Sequence, residues 1–175
     1  MNSLSIYKIY FLYCVNYYFI IIYGLKEKVY FFIGIGENKY MNILVIDGQG
    51  GQLGGQIIKS IKSQVAEVDI TAIGTNATAT ATMLKAGASR VATGENPVIV
   101  ACRKADIIIG PIGIVIADAM YGEITPNMAV AIGQADATRI LLPINKCDNL
   151  IAGISEVATT AIIEDVIQKV IAFAK

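Results

Sequence analysis

The chain has 175 residues, with 14 basic and 14 acidic side chains, three cysteines and no histidine or tryptophan. A formal net charge of zero and only 16% charged residues exclude a strongly basic nucleic-acid-binding surface, which needs clustered Lys and Arg. Without histidine there is no Ser-His-Asp triad, Cys-His pair or imidazole metal ligand, and three cysteines lacking a CxxC spacing form neither a zinc knuckle nor a disulfide framework.

Composition changes sharply near residue 40. Twelve of the 14 aromatic residues lie in residues 1–40, leaving only Tyr121 and Phe173 beyond. Residues 41–175 are rich in Ala, Gly, Ile and Val, and carry 10 basic against 12 acidic groups. One folded unit rarely changes alphabet so abruptly, so residues 1–40 read as a leader and 41–175 as the domain.

Three readings of the leader stand open. Residues 9–25 form a mostly apolar run between Lys8 and Lys26, at the short limit for a membrane-spanning helix, so a membrane anchor is one. A secretory signal is the second, although Gly24-Leu25-Lys26-Glu27 offers no Ala-x-Ala cleavage site. The third is a spurious or non-essential extension, with translation starting at Met41; the residues favoured there have A- and T-rich codons. Without an anchor, the free cysteines fit a reducing cytoplasm.

Taken in order, the body alternates strand-like and helix-like segments, which predicts a parallel sheet covered by helices. Residues 43–46 form an apolar run, as in a strand buried on both faces. Glycines follow, then a helix over 52–62 with Leu53, Ile57, Ile58 and Ile61 at helical spacing. A second strand covers 68–73, and a small-residue helix over 77–85 closes at Gly87. A third strand covers 89–92, and a short helix over 97–104 starts at Pro97.

Residues 105–111 read as a fourth strand with its stop signal, Gly110-Pro111. Thr125-Pro126 opens a helix through Gln134, with a hydroxyl cap and then proline at the first helical position. Residues 139–144 form a fifth strand. Residues 150–154 follow too closely for a parallel crossover, so they pair antiparallel at an edge or simply connect. Ser155 then caps a last helix with Val157, Ala161, Ile162, Val166, Val170 and Ile171 along one stripe. The fold class is α/β: a doubly wound, mainly parallel, Rossmann-like sheet with helices on both faces.

The chemistry-bearing feature is the turn Gly48-Gln49-Gly50-Gly51-Gln52-Leu53-Gly54, between the first strand and first helix. Glycines there allow a tight turn and let a ligand approach backbone N–H groups, while the helix N-terminus favours an anion such as phosphate. GxGxxG fails, because its third glycine falls on Leu53; GxxGxxG fits at Gly48, Gly51 and Gly54. Asp47, directly before it, is awkward beside a pyrophosphate unless a cation bridges them or the side chain turns away.

The run Asn42–Gly54 resembles the amino terminus of extended short-chain dehydrogenase/reductases, notably the dTDP-4-dehydrorhamnose reductase kind. Gly94-Glu95 stands where that family places a carboxylate against adenine, and Asp106 where its fourth strand opens with Asp. The resemblance covers roughly residues 42–112 and implies NAD or NADP as cofactor. It lacks the family's Tyr-x-x-x-Lys pair, since Tyr121 is followed four residues later by Thr125, and lacks its substrate-binding carboxy-terminal part. As a whole, the body is similar to a small bacterial Rossmann-like family of unknown function.

The expected ligand is a nucleotide or dinucleotide at Gly48–Gly54, with Thr75, Asn76, Glu95 and Gly110 as further contacts. Gly74-Thr75-Asn76 follows the second strand where an acid would grip the ribose of NAD, so NAD and NADP are not distinguished. Asp47, Glu95 and Glu123 are expected at the carboxyl edge of the sheet, as Mg²⁺ ligands or as separate loop acids. Thr125 reads as a cap, and Cys102 as a packed thiol. Cys147 reads as an ordinary loop thiol, no histidine being present to activate it. A binding or sensing module is favoured over the alternatives: an NAD(P)-dependent oxidoreductase, a Mg²⁺-assisted phosphate-ester enzyme, or a structural subunit, for instance a homo-oligomer. Gly51→Val is expected to abolish ligand binding and leave a folded protein.

Overall fold

The computed structural model describes residues 8–14, 17–23, 35–36, 40–144, 149–153 and 157–173. The chain divides into two units, Met1–Lys39 and Tyr40–Lys175. In the first, β1 (Lys8–Cys14) pairs antiparallel with β2 (Tyr17–Tyr23), Lys8 opposite Tyr23 and Cys14 opposite Tyr17. The two-residue β3 (Ile35–Gly36) pairs with the start of β2. The marginal membrane helix over 9–25 is therefore not formed; its described residues are strands. Tyr, Phe and Ile are strong strand formers, and here that preference prevails over helical apolar length. No helix among the described residues is long and apolar enough to cross a membrane.

In the second unit, β4 (Met41–Asp47), β5 (Val68–Gly74), β6 (Arg90–Thr93), β7 (Ile107–Pro111) and β8 (Thr138–Leu142) form one sheet in the order β6-β5-β4-β7-β8. All four pairings are parallel. The chain starts at the centre, steps outward to β6, then crosses back to β7 on the other side of β4. The direction of winding reverses between β4 and β7.

Successive side chains of a strand point to opposite faces, which explains the unbroken apolar run of β4. Ile43 and Val45 enter one core with Ile57, Ile58 and Ile61 of α1 (Gln52–Gln64), Met83 of α2 (Ala77–Lys85), and the last helix. Leu44 and Ile46 enter the other with Val98 and Cys102 of α3 (Glu95–Cys102), and with Met128 and Ile132 of α4 (Pro126–Gln134). Each fully buried Ile or Leu contributes roughly 1.5–3 kcal/mol, so β4, central and covered twice, anchors the sheet.

The fourth and fifth strands are shorter than expected, at Ile107–Pro111 and Thr138–Leu142, and three further features differ from the sequence expectation. Helix α3 begins at Glu95 with Gly94 as cap, which puts Pro97 at its third position. The first four N–H groups of a helix have no partner within it, so proline is tolerated there as at the first. Leu150 and Ile151 form no strand and lead into a turn, so the connector alternative holds for the described part. The last helix, α5, runs Thr159–Phe173 and buries Ile163, Val166, Ile167 and Val170. Of the expected stripe, Val166 and Val170 are buried and Ile162 and Ile171 pack against the core, whereas Val157 and Ala161 are exposed. Ser155 and Ile154 lie outside the described residues.

One segment after β7 departs from ordinary backbone. A 3-10 turn (Ile112–Val115) leads to a short turn in which Asp118, Met120 and Tyr121 have φ of 63°, 58° and 61°. Left-handed backbone costs a residue with a side chain roughly 1–2 kcal/mol, so such a cluster needs support from its surroundings. Reciprocal bonds hold it: the Asp118 N–H donates to the Ile124 carbonyl at 2.8 Å, and the Ile124 N–H to the Ala119 carbonyl at 3.2 Å.

Candidate functional site

The glycine turn emerges at the carboxyl end of β4, beside the carboxyl end of β7, where the winding reverses. Open α/β sheets bind ligands at such a point. A cavity of about 260 Å³ lies there. Its floor is the glycine turn from Asp47 to Leu53, and its walls are Pro111 at the end of β7, Ile112 and Gly113 after it, Met120, Ile144, Asn149 and Ile151.

Three glycines of the turn are hemmed in: at Gly54 a Cβ would lie 2.6 Å from Met83 Sδ, and Gly51 and Gly48 are tighter still. Gly51 has φ +66°, and a Cβ there would lie 2.6 Å from both the Cα and the carbonyl oxygen of Ala79. A Cβ on Gly48 would lie 2.6 Å from Met120 Sδ, 2.7 Å from Glu123 Oε2 and 2.8 Å from Thr75 Oγ1. Gly51 therefore lets α1 meet α2 backbone to backbone, which corrects the expectation that Gly51→Val stays folded. Gly50 is different: a Cβ there would approach only Gln52 Cγ, at 3.9 Å.

Asp47, 6% exposed, resolves its awkwardness by turning into the glycine loop. Its Oδ1 accepts the Gly48 N–H at 2.8 Å and its Oδ2 the Gly54 N–H at 2.7 Å. Gly51 N–H goes to the Gly48 carbonyl at 2.9 Å. The Gln49 N–H donates to Glu123 Oε2 at 2.9 Å. That leaves the N–H groups of Gly50, Gln52 and Leu53 with no acceptor among the described residues. All three residues line the cavity.

Residues 42–175 match the family model for a domain of unknown function, DUF3842. The chain belongs to the DUF3842 family. No curated protein and no solved structure matches it.

The remaining expected contacts of this DUF3842 domain serve its own framework. Thr75 Oγ1 donates to Glu123 Oε2. Asn76 caps α2 by accepting the Ala79 N–H at 2.9 Å, and its Nδ2 donates to the Gln49 carbonyl at 3.0 Å and to Glu123 Oε2 at 3.1 Å. Neither residue is among those lining the cavity. Gly110 is buried in the sheet, where a Cβ would collide with the Ile46 carbonyl and Ile114; the wall is formed by the residues after it.

The three acids do not gather. Glu95 accepts bonds from Thr125 Oγ1 and from Asn127 Nδ2, the latter at 3.3 Å, at the start of α4. Among the described residues no three Asp, Glu, Cys or His groups are placed to hold a metal ion. Asp106 lies at the opposite, amino edge, where its Oδ2 accepts the Asn42 N–H at 2.9 Å. Burial pushes the Cys102 thiol up to about 11, which fits a packed thiol; Cys147 lies outside the described residues.

Sequence reasoning missed the organising role of Glu123. Burial pushes its carboxyl upward, but the hydrogen bonds from Thr75, the Gln49 N–H and Asn76 outweigh this and hold it below the usual carboxylate value. One side chain from the loop after β7 thereby fastens the turns after β4 and β5. No local motif announces this. The only hint was a glycine and an acid, Gly122-Glu123, directly before the next helix opening.

Proposed function

We propose that the DUF3842 domain binds a small phosphate-bearing molecule, of the nucleotide class, in the crevice between β4 and β7. The observation that carries this is the set of open N–H groups of Gly50, Gln52 and Leu53 on the floor of a cavity at the sheet's winding reversal. The positive end of the α1 dipole adds to their pull on an anion. The likeness of the Gly-x-x-Gly-x-x-Gly run to the cofactor turn of short-chain dehydrogenase/reductases points the same way.

Binding, rather than catalysis, is the reading favoured by the lining. Among the described wall and floor residues the one ionisable side chain is Asp47, and both of its oxygens hold backbone N–H groups. A general acid–base pair is not assembled from them.

A thermal-shift screen of the full chain with AMP, ATP, NAD, NADP, sugar nucleotides and inorganic phosphate tests this. A ligand at about 100 times its Kd stabilises the folded state by about 2.7 kcal/mol. Gly50→Val places bulk on the cavity floor without meeting other backbone, so it should keep the unliganded midpoint and weaken binding about tenfold or more. Gly51→Val should instead fail to fold stably. The proposal is overturned if no probe shifts the midpoint, or if Gly50→Val binds as tightly as the wild type.

A further inference from the structure

We infer that the face formed by α3 and α4 is the docking surface for a second copy of this chain, giving a two-fold dimer. The groove on this face shares no residue with the cavity at the glycine turn, so the inference stands apart from the phosphate reading.

The last six residues of α3, Pro97-Val98-Ile99-Val100-Ala101-Cys102, include no charged, amide or hydroxyl side chain. At 3.6 residues per turn, six in a row put apolar groups on every side of the helix. A helix that is apolar all round is ordinarily buried all round. Here only Val98 and Cys102 are buried. Ile99 and Ala101 are half-buried, and Val100 is 41% exposed. On the neighbouring α4, Val130 is 54% exposed. Between the two helices runs a groove of about 590 Å³, with Ile99, Val130 and Ala131 along its length.

The charges at the end of that groove identify what covers it. The two helices run side by side in the same direction. Their starts are joined, because Glu95 accepts bonds from Thr125 and Asn127. Just past their ends, Arg103 and Asp136 border the groove from opposite sides. Both are exposed, and among the described residues neither side chain has an ion-pair or hydrogen-bond partner. A two-fold axis along the groove exchanges its sides and keeps its ends in place. It lays α3 of one copy on α4 of the other, with Ile99 facing Val130. Arg103 of each copy then meets Asp136 of the other, so the contact forms two ion pairs. A surface complementary to itself is what an isologous interface requires, and this one meets that condition in both charge and apolar character.

Sedimentation velocity of the full chain over about a hundredfold range of concentration, up to about 100 μM, tests this. The wild type should sediment as a particle of twice the 18.7 kDa chain mass and dissociate on dilution. Val130→Lys sets a charge in the apolar contact and should raise the dissociation constant about tenfold or more. Arg103→Asp and Asp136→Arg each oppose like charges and should raise it about fivefold. The two exchanged together should bring it back to within about twofold of the wild type. All three positions are exposed, so circular dichroism should show the wild-type fold in every variant. A wild type that stays monomeric at the highest concentration would overturn the inference and leave this face to another partner. A dimer unaffected by Val130→Lys would overturn it by placing the contact on another face. Failure of the charge exchange to restore association would overturn it equally.

Discussion

Two acidic side chains stand at the glycine turn, and their placements differ. Asp47 is buried and closes the turn on itself through Gly48 and Gly54. Glu123 reaches in from another loop and is only half-buried, so its effect is open to solvent and to pH. A carboxyl held below its ordinary value in the folded state contributes stability that is complete above that ordinary value, roughly 4.3. The contribution disappears as pH falls through the lowered value. Wild-type protein should therefore lose more thermal stability than Glu123→Gln between about pH 5 and pH 2.5, and the two melting curves should draw together in acid. Parallel midpoints across that range would show that the carboxylate adds no pH-dependent stability. The glycine turn was legible from the sequence because Gly51, with left-handed backbone pressed against the Ala79 backbone, admits no other residue. The partners of Asp47 and Glu123 were not, since a carboxylate directly before a turn and another far along the chain look alike until the chain folds.

At the level of elements, capping chemistry was legible at Thr125, whereas Asn76, equally local to α2, was read as a ligand contact. Thr125 accepts the Met128 N–H at 3.2 Å, as the Thr-Pro opening implies, and also donates to Glu95, which links the start of α4 to the start of α3. Thr125→Ala removes both bonds and should cost about 1–2 kcal/mol, or roughly 3–6 °C in midpoint, while Thr125→Ser should recover most of it. A loss below half a degree in Thr125→Ala would mean the cap is redundant. Central strands were equally legible, because burial on both faces writes a continuous apolar run that no turn residue interrupts. Errors arose where two signals compete. Pro97 marked a helix start two residues late, since any of the first few positions tolerates it. In the last helix, periodicity placed Ile162, Val166, Val170 and Ile171 against the core but extended the stripe too far back, to Val157, which precedes the helix, and to the exposed Ala161. The left-handed turn before α4 had almost no signature, because Met120 and Tyr121 are residues that ordinarily avoid such backbone.

For the molecule as a whole, the decisive feature is that one central strand is buried on both faces, so the sheet and its two helical layers form or fail together. The described members of both cores run from Met41 to Ile171. The family match spans 42–175, and the second compact unit begins at Tyr40. The cavity is also assembled within that unit, from the turn after β4, the loop after β7 and the connector after β8. Stability and ligand binding are then both expected of the segment 41–175 by itself, without the aromatic-rich segment before it. A chain comprising residues 41–175 should unfold in a single cooperative transition, with a midpoint within about 2 °C of the full-length protein, a difference of well under about 1 kcal/mol for a domain of this size. Its ligand-induced shift in the nucleotide and phosphate screen should match that of the full chain. A midpoint lowered by about 5 °C or more would place part of the stabilising core in the aromatic-rich leader, and a lost ligand shift at unchanged stability would place part of the binding site there.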